Sequence, residues 1–80
     1  MLPRPVEDLD DLGRTIRAAR EHHGLSQWAL AERIGVTQSH LSRLEGGGCR
    51  AVRLVTLQRL SEALGLSAAD LLALAVRRAM

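Results

Sequence analysis

The sequence contains no Phe, no Tyr and a single Trp. β-Sandwiches and barrels normally use more aromatic residues than this, so the near absence of aromatic side chains disfavours an all-β fold. The apolar residues are instead mainly Leu, Ala, Val and Ile, and the frequent Leu, Ala, Arg and Glu residues favour helix. A chain of 80 residues is long enough for one domain. The composition therefore predicts a single all-α domain.

Cysteine and long apolar runs are also scarce. Cys49 is the only cysteine, so no internal disulfide can form, which is typical of a reducing cytosol. The longest apolar run, residues 71–76, is too short to span a membrane. Pro3 and Pro5 are followed by acidic residues, which does not match a signal peptide. The expected location is cytoplasmic, with no membrane partner.

Lysine is absent, and all 11 basic residues are Arg. The charge is uneven: residues 1–12 hold Arg4 against four acids, a net of −3, and the remainder holds ten Arg against five acids, a net of +5. A basic domain can neutralise DNA phosphates, although charge alone is weak evidence. The prolines and acids predict a loose leader over residues 1–8, and residues 9–80 are the expected folded domain.

Apolar spacing and capping residues predict five helices. Ser26 and Thr37 are suitable N-caps, Ser67 begins a capping-box-like segment, and Gly24 and Gly35 are suitable stops. The expected helices are Leu9–His23, Gln27–Ile34, Gln38–Glu45, Leu54–Leu64 and a last helix that follows Ser67 and ends near Arg78. The expected core positions are Leu9, Leu12, Ile16, Ala19, Leu30, Ala31, Ile34, Leu41, Leu44, Leu57, Leu60 and Leu64.

The second and third helices are joined by a short, glycine-containing segment, as in a helix-turn-helix unit. Ala31 is small where the two helices must cross, and Gly35 can adopt the left-handed conformation at the corner. Val36 is expected to lie under the turn, and Leu41 to anchor the third helix. Together these residues predict a helix-turn-helix.

The third helix has a polar outer face if Leu41 and Leu44 are buried. At about 100° per residue, the outward and N-terminal positions are Thr37, Gln38, Ser39, Ser42 and Arg43. In this motif, N-terminal residues of the second helix contact base edges in the major groove. Arg43 suits guanine O6 and N7, and Gln38 suits adenine N6 and N7. The alternative is a solvated helix face, but the surrounding motif favours contact with double-stranded DNA.

Several segments match one known family. They are Leu12-Gly13-Arg14, Ile16-Arg17, Arg20, Gly24-Leu25-Ser26-Gln27, Leu30-Ala31, Gly35-Val36-Thr37, Leu41-Ser42-Arg43-Leu44-Glu45 and Ala63-Leu64-Gly65. Over about residues 11–72 the chain resembles the Cro/C1-type phage-repressor helix-turn-helix family, also called the xenobiotic-response-element family. The resemblance implies a compact five-helix, lambda-repressor-like fold. In the loop it departs from the family, because the triple glycine 46–48 looks longer and Ala51 replaces a common proline.

The resemblance also implies roles for residues outside the third helix. A Gln at the position of Gln27 usually binds a DNA phosphate. An Arg and a Glu at the positions of Arg20 and Glu45 usually form a structural ion pair behind the recognition helix. Arg50 and Arg53 fit the loop that follows the DNA backbone, with simple surface solvation as the alternative.

The last helix carries more apolar residues than one core-facing stripe needs. We expect a homodimer interface there, formed by Leu72, Leu74, Ala75, Val76 and Met80; the alternative is that these residues only close the monomer core. The predicted function is a sequence-specific transcription regulator, a repressor or controller protein. The alternative is an antitoxin that binds a toxin protein as well as DNA, with Trp28 and the acidic leader as contact sites.

Catalytic and metal sites are not expected. His22, His23, His40 and Cys49 lack the spacing of metal ligands, and the first two are expected at a frayed helix end. No nucleophile and base are suitably paired, and a helical domain of this size has little room for a substrate pocket. We therefore expect no enzyme activity, no cofactor and no small-molecule substrate.

Overall fold

The computed structural model describes residues 11–49 and 51–79. These residues form α1 (Asp11–His22), α2 (Gln27–Ile34), α3 (Gln38–Glu45), α4 (Leu54–Leu64) and α5 (Ala68–Ala79). The predicted all-α class is confirmed, and the bounds of α2, α3 and α4 agree with the prediction. The proposed leader, the predicted start of α1 at Leu9, and the candidate residues Arg50 and Met80 lie outside the described residues.

Local capping explains where these helices begin and end. The hydroxyl oxygens of Ser26, Thr37 and Ser67 each accept the backbone N–H three residues further on, at 3.0, 3.0 and 3.3 Å. Such a cap contributes about 1 kcal/mol. Gly35 ends α2 in the left-handed conformation, with φ of 75°, as the corner of the motif requires. The short α2 and α3 are therefore delimited by signals close to them in the sequence.

One apolar core joins the five helices. Helix α1 packs on α3, α4 and α5, α2 packs on α3 and α4, and α4 packs on α5. The buried apolar residues are Leu12, Ile16, Leu30, Ala31, Ile34, Leu41, Leu44, Leu57, Leu60, Leu64 and Leu71. Full burial of one such Leu contributes about 1.5–3 kcal/mol. Among the described helices, none has the length and apolar character needed to cross a membrane.

The end of α1 differs from the sequence-based expectation. His23 was expected at a frayed helix end, but an imidazole nitrogen, Nε2, lies 2.9 Å from the carbonyl oxygen of Leu64. That contact joins the residue after α1, which ends at His22 and not at the predicted His23, to the end of α4. Helical periodicity describes neighbours within one element and cannot reveal a partner 41 residues away.

Candidate nucleic-acid interface

Helix α3 presents a polar surface on the side opposite the core. Leu41 and Leu44 are completely buried. The exposed residues of the α3 segment include Thr37, Ser39, Ser42 and Arg43, and Gln38 is half-buried. Among the described residues, the Arg43 guanidinium has no hydrogen-bond or ion-pair partner. Four of the five predicted base-reading candidates are thus accessible, and the fifth is held partly against the protein.

Two glutamines meet where α2 and α3 begin. Gln38 Nε2 donates to Gln27 Oε1 at 2.7 Å, and Gln27 Nε2 donates to Glu45 Oε1 at 3.0 Å. Gln27 therefore lies between a predicted base-reading residue and a buried carboxylate. The sequence did not reveal these two hydrogen bonds, because they join the starts of two helices to the end of α3.

Behind α3, Arg20 and Glu45 form a bidentate ion pair. Arg20 Nε lies 2.7 Å from Glu45 Oε2, and Arg20 Nη2 lies 3.1 Å from Oε1. The side chains are only 11% and 3% exposed. Arg20 Nη1 also donates to the carbonyl oxygen of Leu25, at 2.8 Å. One guanidinium thus connects α1 to the segment before α2 and to the end of α3.

The environment of Arg20 favours its charged form. The hydrogen bonds to Glu45 raise the pKa of Arg20 above its ordinary value, and the negative charges of Glu45 and Glu21 act in the same direction. Partial burial acts against them. The net shift of the pKa is upward, so Arg20 remains positively charged throughout the physiological pH range.

The four side chains form one continuous polar chain. It runs from Arg20 through Glu45 and Gln27 to Gln38. Every link is a hydrogen bond of 3.0 Å or less between its closest atoms. The buried ion pair is therefore connected through one side chain, Gln27, to Gln38 on the face of α3 that is expected to read bases.

Arg53 and Arg59 line a cleft beside the turn between α2 and α3. Arg53 is exposed, occupies the N-cap position and makes no side-chain capping hydrogen bond. Arg59 Nη1 donates to the carbonyl oxygen of Ile34 at 3.2 Å, which holds α4 against the end of α2. Sequence reasoning did not single out Arg59, because its partner is a backbone oxygen of another helix.

The predicted dimer residues on α5 divide into two groups. Leu72 and Val76 are 45% and 52% exposed. Leu74 and Ala75 are half-buried and pack against the core of the same chain. Leu54 of α4 is 59% exposed, and it lines an apolar groove together with Leu72 and Val76. The exposed apolar surface therefore includes the start of α4 as well as α5.

Two residues without an assigned role occupy different environments. Cys49 is half-buried and packs against the core. Trp28 lies on α2 with 72% of its surface exposed. Within residues 11–49 and 51–79, no three His, Cys, Asp or Glu side chains are close enough to hold a metal ion together.

A helix-turn-helix in a compact helical bundle, with a polar face on its second helix, defines the class of protein. The family model described as helix-turn-helix matches residues 16–71, which is most of the chain. The chain belongs to this family, whose Cro/C1-type members are DNA-binding transcription regulators with the lambda-repressor-like fold.

A curated relative is the HTH-type transcriptional regulator YozG of Bacillus subtilis (strain 168), which is 40% identical over 48 residues. The match covers 60% of this chain and 57% of the relative, so the chain spans little more than half of the relative's length.

Solved structures give a longer match. The clp gene regulator ClgR from Corynebacterium glutamicum is 35% identical, with a TM-score of 0.72 over 86% of this chain and 72% of that one. The biofilm master regulator SinR, solved in complex with DNA, is 33% identical, with a TM-score of 0.70; the match covers 76% of this chain and 97% of the SinR chain. The restriction-modification controller protein C.AhdI from Aeromonas hydrophila is 34% identical, with a TM-score of 0.71; the match covers 81% of this chain and 97% of the C.AhdI chain.

Proposed function

We propose that this protein is a sequence-specific transcription regulator, a repressor or controller protein, that inserts α3 into the major groove of DNA as a homodimer. The observation that carries the proposal is the outer face of α3. Its residues are polar and accessible, while Leu41 and Leu44 hold the opposite face in the core. The fold shared with SinR, a regulator solved in complex with DNA, supports contact with DNA.

The residues divide into two kinds of contact. Gln38 and Arg43 are the proposed base readers, since their side chains can pair with adenine and guanine edges. Contacts to the DNA sugar-phosphate backbone are proposed for the remaining polar residues of the candidate interface, namely Gln27, Thr37, Ser39, Ser42, Arg50 and Arg53. Such phosphate contacts position the protein, whereas the base contacts supply sequence preference.

Selection of bound duplexes from random DNA tests this function. The selected duplex and a scrambled duplex of equal length are then compared by fluorescence anisotropy. We expect the selected duplex to bind at least about 10³-fold more tightly, with affinity falling steeply as salt rises. Equal affinity for both duplexes at about 150 mM salt would exclude a sequence-specific regulator.

The exposed apolar surface supports the proposed dimer. Leu54, Leu72 and Val76 expose large side chains beside one groove, and clusters of this kind mark interaction sites. A dimer would place two copies of α3 one DNA turn apart, about 34 Å. Two half-sites read together would give more selectivity than one short helix can provide.

Sedimentation tests the dimer with a matched pair of variants. Leu72→Arg with Val76→Arg should sediment at the 8.7 kDa mass of one chain, whereas the wild type should sediment at twice that mass. Ala73→Arg, on an exposed position of the same helix, is the control and should remain dimeric. A wild type that sediments as a monomer both free and on its selected DNA would exclude the dimer.

Exposed Trp28 supports the second candidate, an antitoxin that grips a toxin protein as well as DNA. A large aromatic ring exposed on α2 is suited to a protein partner. As the only Trp in the chain, it is also a specific fluorescence probe. If the product of an adjacent gene is the toxin, its binding should shift Trp28 emission to the blue. Trp28→Ala should weaken binding of that protein. Unchanged binding of the toxin by Trp28→Ala would exclude Trp28 as the contact.

A further inference from the structure

The polar chain from Arg20 to Gln38 has a defined direction of hydrogen bonding. A carboxylate only accepts hydrogen bonds, so Gln27 must face Glu45 with its NH₂ group. Gln27 then turns its carbonyl oxygen toward Gln38. Because an amide oxygen also only accepts, Gln38 must face Gln27 with its own NH₂ group. The acceptor oxygens of one buried side chain thereby orient two amides, first that of Gln27 and then that of Gln38.

The orientation of Gln38 decides what it can offer to a base. One N–H of Gln38 Nε2 is used by Gln27. The second N–H and the carbonyl oxygen remain available, one donor beside one acceptor. Adenine presents an acceptor, N7, beside a donor, N6, in the major groove, whereas guanine presents two acceptors, N7 and O6. The free groups of Gln38 therefore match adenine and do not match guanine.

We propose that Glu45 is a positioning residue for base recognition, which sets the preference of Gln38 for adenine over guanine through Gln27. The proposal rests on the proposed function, in which Gln38 reads a base. It assigns to Glu45 an effect on specificity in addition to its ion pair with Arg20. Glu45 does not contact the base, because its side chain is 97% buried behind α3.

Replacement of Glu45 by Gln would reverse the direction of the hydrogen bonds between residue 45, Gln27 and Gln38. An amide at position 45 would keep its carbonyl oxygen on the shorter contact, 2.7 Å from Arg20 Nε, and would place its NH₂ group where Oε1 now lies, with loss of the 3.1 Å hydrogen bond from Arg20 Nη2. Gln27 would then turn its carbonyl oxygen toward residue 45 and its NH₂ group toward Gln38. Gln38 would have to accept that hydrogen bond with its own carbonyl oxygen. Gln38 would be left with two donors, the pattern that suits guanine.

The test measures the adenine-to-guanine affinity ratio at the base pair read by Gln38, which is located by comparing sequences selected by the wild type and by Gln38→Ala. The wild-type ratio should be about tenfold or more. Glu45→Gln should lower this ratio at least about fivefold or reverse it. Arg20→Lys is the matched control: it weakens the ion pair but keeps an acceptor facing Gln27, so it should lower stability and leave the ratio unchanged.

A second variant covers the case in which Glu45→Gln does not fold. Gln27→Met removes the middle link at a half-buried surface position and should also lower the ratio. If Glu45→Gln folds and its adenine-to-guanine affinity ratio equals that of the wild type, the positioning role of Glu45 is overturned. If Glu45→Gln is unfolded, an unchanged ratio in Gln27→Met overturns it instead. A wild type that selects no sequence, or a Gln38→Ala variant with wild-type preferences at every position, would instead overturn the proposed function or the reading role of Gln38.

Discussion

Gly13 lies directly against the backbone of Glu45. A Cβ atom at position 13 would be 2.5 Å from the carbonyl oxygen of Glu45 and 2.6 Å from that of Leu44. Real Cβ atoms do not approach carbonyl oxygens so closely, and neither oxygen belongs to a movable side chain. The crossing of α1 and α3 therefore depends on the missing side chain at Gly13, which places Arg20 within reach of Glu45.

Gly13→Ala should destabilise the protein although alanine favours helix. Helix propensity alone would stabilise the variant by about 1 kcal/mol. Forcing α1 away from α3 outweighs this gain, and we expect the variant to be less stable than the wild type by about 1–3 kcal/mol. Urea denaturation measures the free energy of unfolding. A free energy equal to or above that of the wild type would show that the close approach is not required.

The buried and exposed ion pairs should differ strongly in their contributions. Glu45→Ala leaves Arg20 buried without its partner and should cost about 3–5 kcal/mol. Glu21→Ala removes the solvent-exposed 3.8 Å pair with Arg17 and should cost less than about 0.5 kcal/mol. Thermal and urea unfolding of both variants provides the comparison. An unchanged melting temperature for Glu45→Ala would mean that the buried pair does not stabilise the fold.

The contribution of Arg20 should not depend on pH in the neutral and mildly alkaline range. Its pKa is raised in the folded state, so the stabilisation is fully present below the unfolded-state value and is lost only as pH rises through the higher folded value. The stability difference between wild type and Arg20→Ala should therefore remain constant between about pH 7 and 10. A difference that shrinks over this range would contradict the upward shift.

Thr56→Val should stabilise the protein. Thr56 is only 7% exposed, and its hydroxyl makes no hydrogen bond to another described residue. Valine has nearly the same shape and removes the cost of burying a hydroxyl that has no partner among the described residues, so we expect a gain of about 1 kcal/mol in the free energy of unfolding. Thr56→Ser is the control that keeps the hydroxyl. Loss of stability in the valine variant would indicate that the hydroxyl is bonded in solution.

Arg43→Ala should change DNA recognition without changing the fold. The side chain is exposed on α3, so its removal should leave the melting temperature within about 1–2 °C of the wild-type value. Discrimination at one guanine should fall by about 1–3 kcal/mol. Binding to duplexes altered at that base measures the effect. Arg33→Ala, also exposed but on α2, is the control; a large fall in melting temperature for Arg43→Ala would instead identify a scaffold role.

The sequence by itself determined the helices and the motif. Ser26, Thr37 and Gly35 act on backbone groups only a few residues away, and the spacing of apolar residues reports which face of a helix is buried. These signals are local, so α2, α3 and α4 could be delimited from the sequence. The partnership of Arg20 with Glu45 came from a resemblance to a family, because no local pattern joins two residues on different helices.

Only the tertiary structure decided which distant groups meet. The contact of Gly13 with Glu45, the imidazole of His23 on Leu64, and the link from Glu45 to Gln27 each depend on how whole helices cross. The division of α5 into core residues and exposed residues has the same origin, since its apolar face is wider than the contact it makes with the bundle. Periodicity gives the direction of a side chain about its own helix axis, but a hydrogen bond between helices also requires the distance and angle between two axes, which arise only when the core is packed.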